Sequence, residues 1–341
     1  VQPIRLHPCV CLFLSPCSRS LVLIVKQSGG VESVTRFLYE YLNSNGYSVY
    51  LMYWQNHKGL KSELCQVGLP DKCNMNSLCN IDFIKSYLIK NEIDVVINQT
   101  AVNSRTSAGC TIACNELKIP LVSVLHNTPD LFLRENKFFK IFFYTSFTRL
   151  LIYRMWYYFQ SVFRGFKGGK FIFDNSSCVV LLSKKYFNDY CYINTNSNFD
   201  KIEVINNPAI LQIPVLPSDK ENVVVFVGRL EPQKSVDKLL DIWYIIESKY
   251  KDLGWKLYIL GDGSCRRYLE NLSKNMRLRN VRFVGMVDPN EYYKRAKIFC
   301  MTSIYEGFPM TLLECQSFGV VPLLYNSFSA AVDIIDDGIN G

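Results

Sequence analysis

The stretch E-G-F-P-M-T-L-L-E, residues 306–314, decides the fold, because it joins a strand to a helix and places two carboxylates eight residues apart. Before it, K-I-F-C-M (297–301) is apolar and bounded by polar residues, which predicts a short buried strand. After it, Pro309 suits the first turn of a helix that continues through Leu312 and Leu313. We therefore expect Glu306 at the carboxyl end of a strand and Glu314 about two turns into the next helix.

A helix N-terminus between two carboxylates predicts a particular kind of ligand. The first backbone N–H groups of a helix have no partner within it, so they attract phosphate. Carboxylates on either side of that phosphate can accept hydrogen bonds from sugar hydroxyls. The stretch therefore predicts a nucleotide-sugar site.

Three further motifs follow predicted strands. The apolar run 223–227 leads into G-R-L-E-P-Q-K (228–234), the run 257–260 leads into G-D-G (261–263), and F-V-G (283–285) ends another strand. Carboxyl ends of parallel strands share one edge of the sheet, where open α/β sheets bind ligands. Each motif is weak alone, since a helical Glu is commonly a capping or solvated residue and a lone Arg or Lys a surface charge.

Taken together and in this order, the four motifs resemble glycosyltransferase family 4, whose members are retaining, nucleotide-sugar-dependent enzymes with the GT-B fold. The resemblance implies that Arg229 and Lys234 hold the donor diphosphate, that Glu306 binds the donor sugar and that Glu314 accepts the ribose hydroxyls. It also implies that backbone groups line the nucleotide at Gly228, Gly261, Gly263, Val284, Met310, Thr311 and Leu312.

The N-terminal half begins with a second strand–turn–helix pattern. An apolar strand at 21–25 precedes Gly29-Gly30 and a helix that Gly46 ends, and the next strand spans 49–54. Gly29 and Gly30 permit close approach of a ligand and are similar to the family's N-terminal glycine loop. His126 ends the predicted strand 121–125 and is either structural or, as the resemblance implies, a catalytic residue beside the transferred sugar.

Alternating strands and helices predict the α/β class, with two doubly wound parallel-sheet, Rossmann-like domains that face a cleft. Further strands are predicted at 94–97, 179–182 and 203–205, and further helices at 81–90 and 106–117. Three prolines stiffen the chain near 206–220, so we predict an acceptor-side domain at 1–206, a linker at 207–220 and a nucleotide-sugar-binding domain at 221–341. The final D-G-I-N-G (337–341) resembles a family turn that leads into a further strand, which predicts a fragment with an incomplete second domain.

The net charge of +8 belongs to the first half, because residues 1–215 carry 22 Lys/Arg against 14 Asp/Glu and residues 216–341 carry 16 of each. Within it, residues 131–170 hold eight basic residues and fourteen aromatics against one Glu. Arginines interrupt any apolar span, so this segment is predicted either to lie on an anionic membrane surface or to be a helical core with snorkelling arginines. Nucleic acid is not an expected partner, since no recognised binding motif accompanies the patch.

Thirteen cysteines without zinc-ligand spacing indicate reduced thiols and a cytoplasmic protein, peripheral on the inner face of the membrane if 131–170 binds it. No Asp-x-Asp is present, and the family needs no metal, so neither metal nor cofactor is expected beyond the UDP- or GDP-sugar donor.

The resemblance implies an enzyme that moves a hexose-type sugar to a glycan or lipid-linked acceptor with retention of configuration, in capsule, exopolysaccharide or lipopolysaccharide synthesis. Front-face transfer and a covalent glycosyl–Glu306 intermediate both remain open. Two other functions are alternatives: a nucleotide-sugar epimerase or hydrolase on the same fold, and a non-catalytic partner subunit that binds nucleotide-sugar.

Overall fold

The computed structural model describes residues 20–25, 30–54, 66–100, 104–129, 131, 166–193, 199–209, 219–250 and 254–341. The chain divides into two compact units, Val1–Asn207 and Pro208–Gly341. Residues 210–218 of the predicted linker lie outside the described residues, so its bounds stay a prediction. Gly29 and residues 132–165 of the basic, aromatic segment also lie outside them. No helix among the described residues is long and apolar enough to span a bilayer.

The N-terminal unit is built on a parallel sheet whose neighbouring strands pair in the order β3-β2-β1-β4-β5-β6-β7. Its strands are β1 (Ser20–Val25), β2 (Ser48–Tyr53), β3 (Gln66–Gly68), β4 (Val95–Asn98), β5 (Leu121–Leu125), β6 (Cys178–Leu181) and β7 (Ile202–Val204). Strands β1, β4, β5 and β6 are almost completely buried, which explains why they read as continuous apolar runs.

Helices cover this sheet. They are α1 (Gly30–Ser44), α2 (Leu78–Lys90), α3 (Ser104–Leu117) and α4 (Tyr186–Ile193), and residues 166–175 are also helical. The Ser77 side chain accepts the Asn80 N–H and begins α2. Gly46, at φ +86°, follows the end of α1, as predicted. Helices α2 and α3 bury their apolar faces in one core with β1, β2 and β4.

The C-terminal unit has a parallel sheet in the order β10-β9-β8-β11-β12. Its strands are β8 (Glu221–Val227), β9 (Lys256–Leu260), β10 (Val281–Gly285), β11 (Ala296–Met301) and β12 (Val321–Leu324). Its helices are α5 (Val236–Lys249), α6 (Arg266–Asn275), α7 (Asn290–Arg295) and α8 (Met310–Ser317), with 3₁₀ turns at Pro232–Lys234 and Ser329–Asp333. Its core includes Phe226, Trp243 and Ile259.

The strand order of the C-terminal unit fixes where a ligand would bind. The chain starts in the central strand β8, adds β9 and β10 on one side, and then crosses to add β11 and β12 on the other. The order therefore reverses between β8 and β11, and open α/β sheets bind ligands at such a switch point, outside the carboxyl ends of the strands. The predicted fold class, two parallel α/β sheets, is confirmed for both units.

Candidate functional site

The switch point brings together two of the predicted site residues. Strand β8 pairs with β11 in parallel, with Val225 opposite Phe299, so both strands end at the same edge of the sheet. Lys234 ends the 3₁₀ turn after β8, and its Nζ donates a hydrogen bond to Oε1 of Glu306 in the loop after β11. The Lys234 and Glu306 side chains are only 15% and 9% exposed, so the ion pair is largely shielded from water.

Arg229 lies on the same turn as Lys234, two residues after β8 ends, and is exposed. It forms no ion pair with any residue that the structure describes. A guanidinium in this position is available to an incoming anion. The turn that carries it continues into the 3₁₀ segment, which ends at Lys234.

Two positions differ from the sequence-based expectation. Strand β11 ends at Met301, so Glu306 lies within the loop that follows and not at the strand end. Helix α8 begins only at Met310, with Pro309 as its N-cap, so Glu314 lies little more than one turn into it. The prediction of two turns was wrong because Pro309 precedes the helix and is not part of its first turn.

Glu314 has surroundings unlike those of Glu306. Burial raises the pKa of the Glu314 carboxyl, the Tyr293 hydroxyl partly opposes this shift, and Asp288 adds to it. Within the described part of the chain no Lys, Arg or His forms a salt bridge with Glu314. A half-buried carboxylate without a cation is suited to accept hydrogen bonds from neutral hydroxyl donors.

The predicted glycines allow two turns to touch. A Cβ on Gly261 would lie 2.0 Å from the Gly228 carbonyl oxygen, and one on Gly263 would lie 2.6 Å from the Leu230 carbonyl oxygen. The Leu230 N–H donates to the Asp262 carbonyl oxygen at 2.9 Å across the same contact. Gly261 and Gly263 are therefore required by packing between backbones, and their contact with a ligand stays a prediction.

The remaining predicted nucleotide contacts lie at the same edge. Val284 is half-buried in β10, where the register shifts between Phe283 and Gly285. Met310, Thr311 and Leu312 form the first turn of α8. The Leu312 N–H already donates to the Pro309 carbonyl oxygen at 3.2 Å, whereas no such bond is present for the N–H of Thr311 among the described residues. The first turn of α8 therefore retains donors for an anion.

Two carboxylates within the quoted motifs were missed as structural partners. Glu231 accepts the backbone N–H and the hydroxyl of Ser264, at 2.9 and 2.6 Å, and these bonds lower its pKa. Asp262 accepts the Gly263 N–H at 2.7 Å and Nη1 of Arg266 at 2.9 Å, which lower its pKa. Their positions within the G-R-L-E and G-D-G motifs could have indicated this role in the sequence. Both carboxylates form hydrogen bonds that hold the turn after β9.

In the N-terminal unit, His126 directly follows β5 and is buried. Burial lowers the pKa of His126 to about 4, so its imidazole is neutral at pH 7. Its Nε2 is hydrogen-bonded to Oε1 of Gln99, which follows β4 and was not predicted. A neutral His126 can orient a hydroxyl group but does not supply a positive charge.

Of the two glycines predicted at the N-terminal turn, Gly30 is the first residue of α1.

Metal ligands are not gathered anywhere in the described ranges, since no three His, Cys, Asp or Glu side chains there lie close enough to hold an ion. The cysteines in these ranges are all free, and Cys110, Cys114, Cys178 and Cys315 are buried. These buried thiols act as small apolar side chains.

Comparison with known proteins gives a direct match for the C-terminal unit. A family model described as "Glycosyl transferases group 1" matches residues 211–341. These residues form a glycosyltransferase group 1 domain. The resemblance predicted from the four motifs, all of which lie in this domain, is thereby confirmed.

Curated relatives of the group 1 domain include proteins named for amylovoran biosynthesis and for lipopolysaccharide galactosyl transfer. The amylovoran biosynthesis glycosyltransferase AmsD of Erwinia amylovora is 36% identical over 124 residues, which cover 35% of this chain and 34% of the relative. The lipopolysaccharide 1,6-galactosyltransferase of Salmonella typhimurium is 33% identical over 154 residues, 41% of each chain. The matched part thus spans about a third to two fifths of these relatives' length.

Solved structures share the fold of both units. The apo lipopolysaccharide outer core galactosyltransferase WaaB has a TM-score of 0.63 and 19% identity, covering 94% of this chain and 85% of its own. Anabaena HepE in complex with UDP-glucose has a TM-score of 0.70 and 14% identity, covering 94% of this chain and 84% of its own. At these identities the likeness establishes the GT-B fold and nothing about the ligand.

Proposed function

We propose that this chain is a retaining glycosyltransferase that moves a hexose-type sugar from a UDP- or GDP-sugar to a glycan or lipid-linked acceptor. The observation that carries the proposal is the shielded Lys234–Glu306 pair at the switch point between β8 and β11, directly before the N-terminus of α8. That edge of the sheet is where a parallel α/β sheet receives a phosphorylated ligand.

The charges of the site fit the two ends of a nucleotide sugar. Arg229, Lys234 and the first N–H groups of α8 supply positive potential for a diphosphate, and Glu314 supplies an acceptor for ribose hydroxyls. As the bond between the sugar C1 and the β-phosphate oxygen breaks, negative charge grows on the phosphate. Fixed positive groups that stabilise this charge without reorganising contribute a few kcal/mol each, roughly, to lowering the barrier.

Front-face transfer is the better-supported mechanism. In it the acceptor hydroxyl bonds to C1 on the face that the diphosphate leaves, and the departing phosphate oxygen takes the hydroxyl proton. The alternative uses the Glu306 carboxylate as a nucleophile. Because Lys234 already neutralises Glu306, the pair favours a role in binding sugar hydroxyls over covalent attack. His126, neutral and buried, is suited to orient a further hydroxyl.

The substrate class rests on the relatives. Structures similar in fold were solved with UDP, UDP-glucose or UDP and GlcNAc, which makes UDP-sugars the first donors to test. Three curated relatives are named for lipopolysaccharide or amylovoran synthesis, which supports a surface-polysaccharide acceptor. We also propose that residues 131–170 hold the protein near an anionic membrane on its cytoplasmic face, since eight basic residues are interleaved there with aromatics.

Titration of UDP and GDP into the wild type, Arg229→Ala and Glu314→Ala tests the site. We expect each variant to lose at least tenfold in affinity, because charge-assisted hydrogen bonds contribute about 1.5–3 kcal/mol. Arg267→Ala is the matched control, since Arg267 is also exposed but lies on α6. Equal binding by wild type and both site variants would mean that the diphosphate lies elsewhere.

Turnover of labelled UDP-sugars with and without a membrane extract separates the alternatives. A transferase needs the acceptor extract to consume donor, a hydrolase or epimerase consumes donor without it, and a non-catalytic subunit consumes none. For the membrane proposal, pelleting with anionic liposomes should weaken with salt and with replacement of Lys137, Lys140 and Arg149.

A further inference from the structure

The loops after β8 and β11 are bonded to each other by more than the Lys234–Glu306 pair. The Ile304 N–H donates to the Gln233 carbonyl oxygen at 2.8 Å, and Nε2 of Gln233 donates to the Tyr305 carbonyl oxygen at 2.7 Å. The Thr302 hydroxyl lies 3.0 Å from both the Lys234 and the Ser235 carbonyl oxygens. Residues about 70 positions apart in the chain are thus joined side by side at the switch point.

These bonds fix the backbone on either side of Lys234. Ser235 has φ 47° and ψ 45°, a left-handed conformation that residues other than Gly rarely adopt. The Thr302 hydroxyl bonds the carbonyl groups on both sides of this residue and so holds the conformation. A Cβ on Gly228 would lie 3.6 Å from Cε of Lys234, which shows that the lysine stem runs back over the turn after β8.

We propose that Gln233 and Thr302 are positioning residues for the donor site. They act through the backbone of 233–235 and 304–305 to hold the Lys234 ammonium and the Glu306 carboxylate in place before the donor arrives. This proposal rests on the proposed function and adds to it the residues that preorganise its charges. Neither side chain has to touch the donor, because each is bonded to backbone carbonyl oxygens.

Preorganisation explains why such bonds matter for binding. A lysine has a long flexible stem, and fixing it upon binding costs conformational entropy. Where the protein has already fixed the stem during folding, the ligand does not bear that cost. Removal of either bond should therefore weaken diphosphate binding more than it lowers the stability of the fold.

Near-isosteric variants remove the bonds one at a time. Thr302→Val removes the hydroxyl, Thr302→Ser keeps it, and Gln233→Met removes the amide donor with little change in shape. We expect Thr302→Val and Gln233→Met to weaken UDP or GDP binding about five- to twentyfold, and Thr302→Ser to stay within about twofold of wild type. Calorimetric titration measures the affinities, and thermal unfolding is recorded for every variant.

Thr111→Val is the matched control. Thr111 is buried in α3 of the other unit, and its hydroxyl donates to the Ser107 carbonyl oxygen at 2.8 Å. It therefore loses the same kind of bond as Thr302→Val, so its melting temperature should fall by a similar amount. Its affinity for UDP or GDP should not change.

A double-mutant cycle shows whether Thr302 acts through Lys234. If it does, Thr302→Val should change the affinity of the Lys234→Ala variant by less than about twofold, because the group that it positions is gone. A general structural role would leave the effect of Thr302→Val intact in that background.

Three results would overturn the positioning role: wild-type affinity in Thr302→Val and Gln233→Met, an equal affinity loss in Thr111→Val, or a full effect of Thr302→Val without Lys234. Each of these presupposes that the wild type binds UDP or GDP, so the proposed function would survive them. If the wild type binds neither nucleotide, the proposed function fails, and the positioning role fails with it.

Discussion

Replacement of Gly261 by Ala tests the contact between the turns after β8 and β9. A Cβ at this position would lie 2.0 Å from the carbonyl oxygen of Gly228 and 2.9 Å from its carbonyl carbon. Contacts of this length do not occur between a Cβ and backbone, so the two turns have to move apart. Gly261 also has φ +126°, which an L-residue with a side chain rarely adopts.

The expected cost combines backbone strain with lost hydrogen bonds. An unfavourable φ costs on the order of 1–3 kcal/mol. Separation of the turns endangers the bond from the Gly261 N–H to the Gly285 carbonyl oxygen, 2.7 Å, and the one from the Leu230 N–H to the Asp262 carbonyl oxygen, 2.9 Å. Each contributes about 1 kcal/mol, so Gly261→Ala should destabilise the C-terminal unit by about 4 kcal/mol.

Gly254→Ala provides the comparison, since Gly254 has φ +67° and nothing within 4 Å of its added Cβ. It should cost only the left-handed strain, about 1–2 kcal/mol. Urea unfolding gives the free energies, and hydrogen exchange of peptides from residues 219–341 assigns the change to the C-terminal unit. If Gly261→Ala is no more than about 1 kcal/mol worse than Gly254→Ala, the close approach of the two turns is wrong.

Three further predictions follow from the site. Burial raises the pKa of Glu314 above its ordinary value of 4.5, so the wild-type fold loses stability as the pH rises from 4.5 through the folded-state pKa. Glu314→Gln should therefore be more stable than wild type by about 0.5–2 kcal/mol at pH 7, with weaker UDP binding, and this gain should shrink as the pH falls through the folded-state pKa and vanish below 4.5. Burial lowers the pKa of His126 from 6.5 to about 4, so the free energy of unfolding of the wild type should fall by up to about 3 kcal/mol as the pH is lowered from 6.5 to 4. Urea unfolding of His126→Gln should lack this dependence on pH. Lys234→Met leaves the shielded Glu306 carboxylate without its cation and should lower the free energy of unfolding by about 3 kcal/mol, whereas Lys234→Met with Glu306→Gln should recover part of it; no recovery would contradict the ion pair.

The positions of the strands were predictable because burial on both faces gives a strand a continuous apolar run in the sequence. β5 was predicted at 121–125 and is observed as Leu121–Leu125, and other buried strands were placed to within a few residues. β3, at Gln66–Gly68, was missed because three half-buried residues with one apolar side chain carry no periodic signal. The start of α8 was misplaced because Pro is compatible with both the N-cap and the first turn.

The donor-site residues divide in the same way. Residues that we propose to contact the ligand directly, such as Arg229 and Lys234, lie in short motifs next to strand ends and could be proposed from sequence. Gln233 and Thr302 could not, because each works by a hydrogen bond to a carbonyl oxygen far away in the chain, and every residue offers a carbonyl oxygen. Only the register of β8 against β11 determines which carbonyl groups they meet.

The two glutamates at the ends of the stretch 306–314 differ in their surroundings: Glu306 forms an ion pair, whereas Glu314 forms none with the residues that the structure describes. Glu306 is paired with Lys234, so a diphosphate that approaches Lys234 has to share the ammonium group with this carboxylate. Glu314 is half-buried, has a raised pKa and has no cation beside it in the part of the chain that the structure describes. A ligand that brings hydroxyl groups alone would add hydrogen bonds to Glu314 and leave the ion pair unchanged, and one that brings phosphate alone would disturb the pair and add no hydrogen bond to Glu314. Only a ligand with both, as in a sugar nucleotide, gains from each carboxylate, and this is the physical reason to prefer that class over free phosphate or free sugar.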